Sequence, residues 1–71
     1  MNNQDNPGLP LGFGMQLAND EVAYSNYRRL TKNQKIAVIN YVRGSTTGMG
    51  AERRIADAVE HLRNNTISQI L

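Results

Sequence analysis

Few side chains in this chain could do chemistry. His61 is the sole histidine, and there is no cysteine. A metal site needs several His, Cys or carboxylate ligands converging on one point. Asp57, one turn before His61, adds a second candidate but no third. The pair therefore reads as a surface contact between Asp57 and His61, not as a ligand set or a general base. Ser25, Ser45 and Ser68 are the only serines. None lies in the Gly-x-Ser-x-Gly turn that presents a nucleophile. With one histidine and no thiol, covalent catalysis has almost no raw material. The sequence assigns no catalytic residue, no metal and no cofactor, and the chain reads as a non-enzyme.

Two clusters offer binding instead. Gly44-Ser-Thr-Thr-Gly48-Met-Gly50 precedes a helix. Free amides and the Thr46 and Thr47 hydroxyls at a helix start can hold an anion, with Arg53 and Arg54 close behind. The stretch lacks the Gly-Lys-Ser/Thr ending of a phosphate loop, and any helix-to-helix turn uses the same residues. Gly12-Phe-Gly14 has neither the preceding strand nor the third glycine of a dinucleotide site. The second cluster is Arg28, Arg29, Lys32 and Lys35, flanked by Tyr24 and Tyr27, with Arg43, Arg53 and Arg54 around the next junction. Cations interleaved with tyrosines can contact phosphates and stack on bases. A helix-turn-helix over residues 32–64 would present them, but Asp57 and Glu60 stand in its would-be recognition helix. Solvated helix faces explain the same residues.

The elements that must position these groups follow from a chain of 71 residues, 39% hydrophobic and 20% charged, with a formal net charge of +2. That length allows one domain, burying only about 60% of the surface its unfolded form exposes. The charge is too small for a protein devoted to phosphate backbones. No apolar run approaches the roughly 20 residues that cross a bilayer, and Met1 to Asn6 lacks the order of a secretory signal. A cytoplasmic location, with no membrane contact, is the expectation. Residues 1–7 read as a disordered tail, 8–65 as a single helical domain and 66–71 as an apolar C-terminal tail.

Leu9, Leu11, Phe13, Met15 and Leu17 alternate with small or polar residues, a strand pattern if taken literally. Phe13 and Leu17 at i,i+4 and the helix formers Met15 to Ala18 favour a short helix over 11–18 after Pro10. Asn19 or Asp20 caps a second helix running to about Leu30, with Ala23, Tyr27 and Leu30 inward and Val22 at the margin. Thr31-Lys-Asn-Gln34 fits a capping box. The third helix then runs from Lys32 to Arg43, presenting Ile36, Ile39 and Val42 or Arg43 on one stripe, with Val38 and Tyr41 beside it. Gly44 ends it as a left-handed residue. The last helix spans Ala51 to Asn64, with Ile55, Ala58, Val59 and Leu62 inward and Arg53–Asp57 and Glu60–Arg63 in range of weak ion pairs. Asn64-Asn65 stops it.

Leu30-Thr31, Lys35, Ile39-Asn-Tyr41-Val42, Ser45-Thr-Thr and Glu52-Arg-Arg-Ile55-Ala-Asp-Ala-Val59-Glu-His-Leu62 together resemble the C-terminal helical segment of YdeI-like, OmpD-associated proteins. The likeness covers about half the chain. The Leu-Pro-Leu-Gly-Phe-Gly-Met run at 9–15 is also similar to the opening of small stand-alone bacterial proteins. In the larger YdeI-like proteins another domain precedes the segment, and a bacteriocin-protection role is associated with the family. The resemblance implies a bacterial cytoplasmic origin and these helix boundaries. The shared positions are caps and core, and none is catalytic.

The reading is an all-α fold, a small compact bundle of about four short helices. Its core is expected from Phe13, Leu17, Ala23, Tyr27, Leu30, Ile36, Ile39, Val42, Ile55, Val59 and Leu62. Replacing Ile39 or Val59 by Ala should remove roughly 1–4 kcal/mol. Functionally, a catalytically bare helical domain with Met1, Met15, Met49 and an apolar C-terminal tail fits a protein-interaction or accessory module with an unknown protein partner, as a monomer or weak homo-oligomer. The alternative is a weak nucleic-acid binder using Arg28, Arg29, Lys32 and Lys35.

Overall fold

Four α-helices follow one another: α1 Leu11–Ala18, α2 Glu21–Arg28, α3 Lys32–Arg43 and α4 Gly48–Arg63, with a closing 3-10 turn Ile67–Gln69. They come from a computed structural model that describes residues 9–44 and 48–71. No strand occurs among the described residues. The expected tail at 1–7 and the Ser45–Thr47 loop lie outside them.

The longest helix, α4, is the hub: α1, α2, α3 and the C-terminal turn all pack on it. The radius of gyration is 11.1 Å, which matches the value of about 11 Å expected when a chain of this size closes around one core. Phe13, Leu17, Ala23, Tyr27, Val38, Val42, Ala58, Val59, Leu62 and Ile67 form that core. Phe13 and Tyr27 meet edge to face at its centre, ring centroids 5.9 Å apart and planes at 89°, the arrangement in which a positive ring edge faces a negative ring face.

Local signals explain most of the boundaries. Pro10 opens α1 with φ −59° and ψ 142° and offers no side-chain cap. Its carbonyl accepts from Gly14 N–H at 2.9 Å. Glycines at 12 and 14 disfavour helix by up to about 1 kcal/mol each, so burial of Phe13 and Leu17 has to offset them. Gly12 has a packing reason: a Cβ there would sit 3.2 Å from Ile55 Cδ1, so the missing side chain lets α4 approach. The alternating apolar residues at 9–17 thus split by helical geometry, Phe13 and Leu17 inward, Leu11 and Met15 outward.

In α2 the cap is Asp20, whose Oδ1 accepts from Ala23 N–H at 3.1 Å. The helix stops at Arg28, two residues short of the expected Leu30, which is half-buried in the turn. The capping box of α3 forms on both sides, Gln34 N–H donating to Thr31 Oγ1 at 3.1 Å and Thr31 N–H to Gln34 Oε1 at 3.0 Å. The inward stripe of α3 is Val38, Ile39 and Val42, while Ile36, expected in the core, is 40% exposed. Both sets fit three- and four-residue spacing, and only the position of α4 chooses between them.

Gly44 corrects a second expectation. It is right-handed, with φ −71° and ψ −11°. The Tyr41 carbonyl accepts from Gly44 N–H at 3.2 Å and from Arg54 Nη1 at 3.1 Å. Arg54 thus meets one of the terminal carbonyls of α3 from a neighbouring helix. Among the described residues the left-handed one is Asn65, at φ 60°. Thr66 N–H donates to His61 O at 2.7 Å and Asn65 N–H to Leu62 O at 3.1 Å, the paired bonds of a Schellman ending. Helix α4 also begins earlier than expected, at Gly48 and not at Ala51. The C-terminal segment folds back: Ile67 is 5% exposed and Ile70 packs against the core.

Candidate functional site

The described groups with chemical potential divide between two faces of α4. Arg54 reaches the Tyr41 carbonyl on α3, whereas Ile55 meets Gly12 on α1. Successive helical residues point about 100° apart, so α1 and α3 flank the hub on different sides.

On the α1 side the surface is apolar. Leu11 is 80% and Met15 58% exposed, and their i,i+4 spacing makes them neighbours along one ridge. Beside that ridge an open groove of about 430 Å³ runs between α1 and α4, lined by Gly12, Met15, Gln16, Asn19, Glu52 and Ile55. Gly12 makes the groove possible by keeping its α1 wall low. Among the described residues Glu52 is the one charged lining residue.

On the α3 side the surface is basic. Arg28 lies in the last turn of α2, Arg29 in the connecting turn, and Lys32 and Lys35 in the first turns of α3. Arg28 stacks on the exposed ring of Tyr24, 5.7 Å from the centroid. Lys35 Nζ lies 5.7 Å from the Tyr27 centroid. Such contacts are worth roughly 0.5–1 kcal/mol at exposed positions. Arg29 and Lys32 stand exposed without an ion pair among the described residues. Tyr27 is only 1% exposed, so it cannot stack on a base as its spacing suggested. Its hydroxyl is buried without a hydrogen-bond partner, and burial pushes the phenol up from its ordinary value, with Tyr24 nearby adding to the shift.

The cations near the next junction separate. Arg53 is exposed, while Arg54 is half-buried, bonded to the Tyr41 carbonyl and stacked 4.9 Å from the Tyr41 ring centroid. Arg54 thus holds α4 to the end of α3. Thr46 and Thr47 lie outside the described residues.

Three polar contacts that spacing did not suggest tie α4 to its surroundings. Arg63 Nε donates to Asp20 Oδ2 at 2.7 Å, displacing the Glu60–Arg63 pair; Arg53–Asp57 does not form among the described residues. Asn26 Nδ2 donates to the Leu62 carbonyl at 2.7 Å. His61 Nδ1 shares a 2.8 Å hydrogen bond with Thr66 Oγ1, taking the place of the expected contact with Asp57. Asp20, accepting first from the Ala23 amide and then from Arg63, is held below the ordinary carboxylate range. These contacts join residues far apart in sequence or across a helix end, so periodicity carries no trace of them. Among the described residues no group of three His, Cys, Asp or Glu could hold a metal ion, and no helix is long and apolar enough to cross a membrane.

No known protein family, curated protein or solved structure matches the chain.

Proposed function

We propose that this domain is a non-catalytic protein-interaction module of the bacterial cytoplasm, and that its docking face is the α1 ridge with the groove beside it. One observation carries the reading: Leu11 and Met15, 80% and 58% exposed, lie side by side next to a groove walled by Ile55. Scattered exposed apolar residues need no explanation, but adjacent ones on a ridge beside a concave surface mark a docking place. Methionine suits such a place because its unbranched thioether adapts to different partners. The groove fits a partner segment with one large apolar side chain to lie against Met15 and Ile55, and a cation or amide donor for Glu52.

Selection of displayed peptides on the immobilised domain tests this. Selected peptides should carry an apolar anchor next to a basic residue, shift the amides of Gly12, Met15, Gln16 and Ile55, and lose binding to Met15→Glu while the helical circular dichroism is unchanged. Peptides that map elsewhere, or bind Met15→Glu equally well, would overturn the reading.

A further inference from the structure

Charge is distributed unevenly over the bundle. Residues 22–44 contain Arg28, Arg29, Lys32, Lys35 and Arg43 and no Asp or Glu at all. The acids outside the N-terminal tail stand at the start of α2, as Asp20 and Glu21, and on α4, as Glu52, Asp57 and Glu60. Among the described residues the ion pair is Arg63 with Asp20, so none of those five cations is neutralised.

The outward side of α3 carries two of these cations. Lys32, Ile36, Asn40 and Arg43 recur at steps of four, four and three, which places them on one helix face. All four are exposed, on the flank of the helix next to the buried Ile39 and away from Val38. Cations stand at both ends of this stripe, with an amide and a β-branched apolar side chain between them. That is the chemistry that reads duplex DNA: Lys and Arg for phosphates or guanine, Asn for adenine, an aliphatic group for the thymine methyl. The twelve residues of α3 make a rod about 18 Å long, and the B-form major groove, about 12 Å wide, admits a helix. Only Arg29, Leu30 and Thr31 separate α2 from α3, which brings Arg28 and Arg29 close to the N-terminal end of α3.

We propose that α2 and α3 form a duplex-DNA docking unit, with α3 facing the major groove and Arg28 and Arg29 alongside the phosphate backbone. This site is separate from the α1 ridge and stands without it. Placing the unit at 21–43 instead of 32–64 removes the acids from the presented helix, because Asp57 and Glu60 belong to α4. An acidic protein partner would also meet the cations. However, Ile36 is the one large apolar side chain of the stripe, and it is 40% exposed, so the stripe lacks the apolar centre of a protein interface.

The experiment is fluorescence anisotropy of the full chain with a labelled DNA duplex of about 20 base pairs, titrated from about 50 to about 200 mM salt. Around four phosphate contacts predict a loss of affinity on the order of a hundredfold over that range. The double variant Lys32→Gln, Arg43→Gln should flatten the salt slope by about two. Arg53→Gln, a charge removed from α4, should leave it unchanged, with circular dichroism verifying the fold of each variant. An RNA duplex of the same sequence should bind more weakly, since its major groove is too narrow for a helix. Absence of binding at low salt, equal weakening by Arg53→Gln, or polyglutamate competing as well as DNA at equal charge would each overturn the proposal.

Discussion

Helices α1 and α3 both lie against α4, yet they are built in opposite ways. α1 has no side-chain N-cap, two glycines and an outer face of Leu11 and Met15. α3 has a complete capping box and an outer face of Lys32, Asn40 and Arg43 around a single Ile36. The comparison separates two sources of helix stability. α3 carries local support in its own sequence, whereas α1 holds its shape chiefly because Phe13 and Leu17 are buried. It also separates two kinds of surface, one apolar and grooved, the other cationic and convex, on a domain whose interior is ordinary.

The largest effect that would break this contrast lies in α1. Phe13→Ala should destabilise by about 3–5 kcal/mol, because it removes the ring that meets Tyr27 and leaves a cavity, while Leu11→Ala should stay within about 0.5 kcal/mol. Urea denaturation read by circular dichroism checks both, and equal losses would mean that the two α1 faces are not distinct. Next comes the cap of α3. Thr31→Ala should cost about 1 kcal/mol through loss of the Gln34 amide contact. A near-zero change in the same melts would show that α3, like α1, depends on packing alone.

The glycines sharpen the comparison further. Gly14→Ala should stabilise by up to about 1 kcal/mol, since its Cβ would make ordinary contact, 3.4 Å from Leu9 Cδ2. Gly12→Ala should gain less, because a Cβ 3.2 Å from Ile55 Cδ1 requires that side chain to move. A larger gain at Gly12 than at Gly14 would remove the packing reason for the α1 groove. The smallest effect is electrostatic. Asp20 is held below the ordinary carboxylate range, so its contribution is present at neutral pH and is lost as pH falls through its folded value, below about pH 4. Asp20→Asn keeps a cap acceptor but loses the charge facing Arg63. Thermal melts from neutral to acid pH should converge for the two proteins at the acid end, and a constant gap would sink that account.

How much of this was legible in the sequence depended on how local each feature is. The bounds of α1 and α3 and the Thr31 cap are read directly, and the α2 cap down to Asn19 or Asp20, because a cap is a contact within a few residues and helical periodicity is a short-range pattern. Asn64-Asn65 as a stop was legible too, although the left-handed geometry went to Asn65 and not to Gly44. The candidate faces were only partly legible. The cations were visible, but not that Arg54 is bound to Tyr41 or that Leu11 and Met15 face outward beside a groove.

The sequence by itself determined the fold class, the helix order and most of the core, since burying apolar stripes spaced for helices leaves little choice but to pack helices on helices. Only the tertiary structure decided which side of each stripe turned inward. Val38 displaced Ile36 because α4 lies against that side of α3, and Ile67 entered the core because the Asn65 turn sends the chain back along the bundle. Gly12 became a wall of a groove for the same kind of reason: its value lies in Ile55, 43 residues away in the chain. A one-dimensional pattern specifies an angle around a helix axis, but the neighbour that occupies that angle comes from long-range packing.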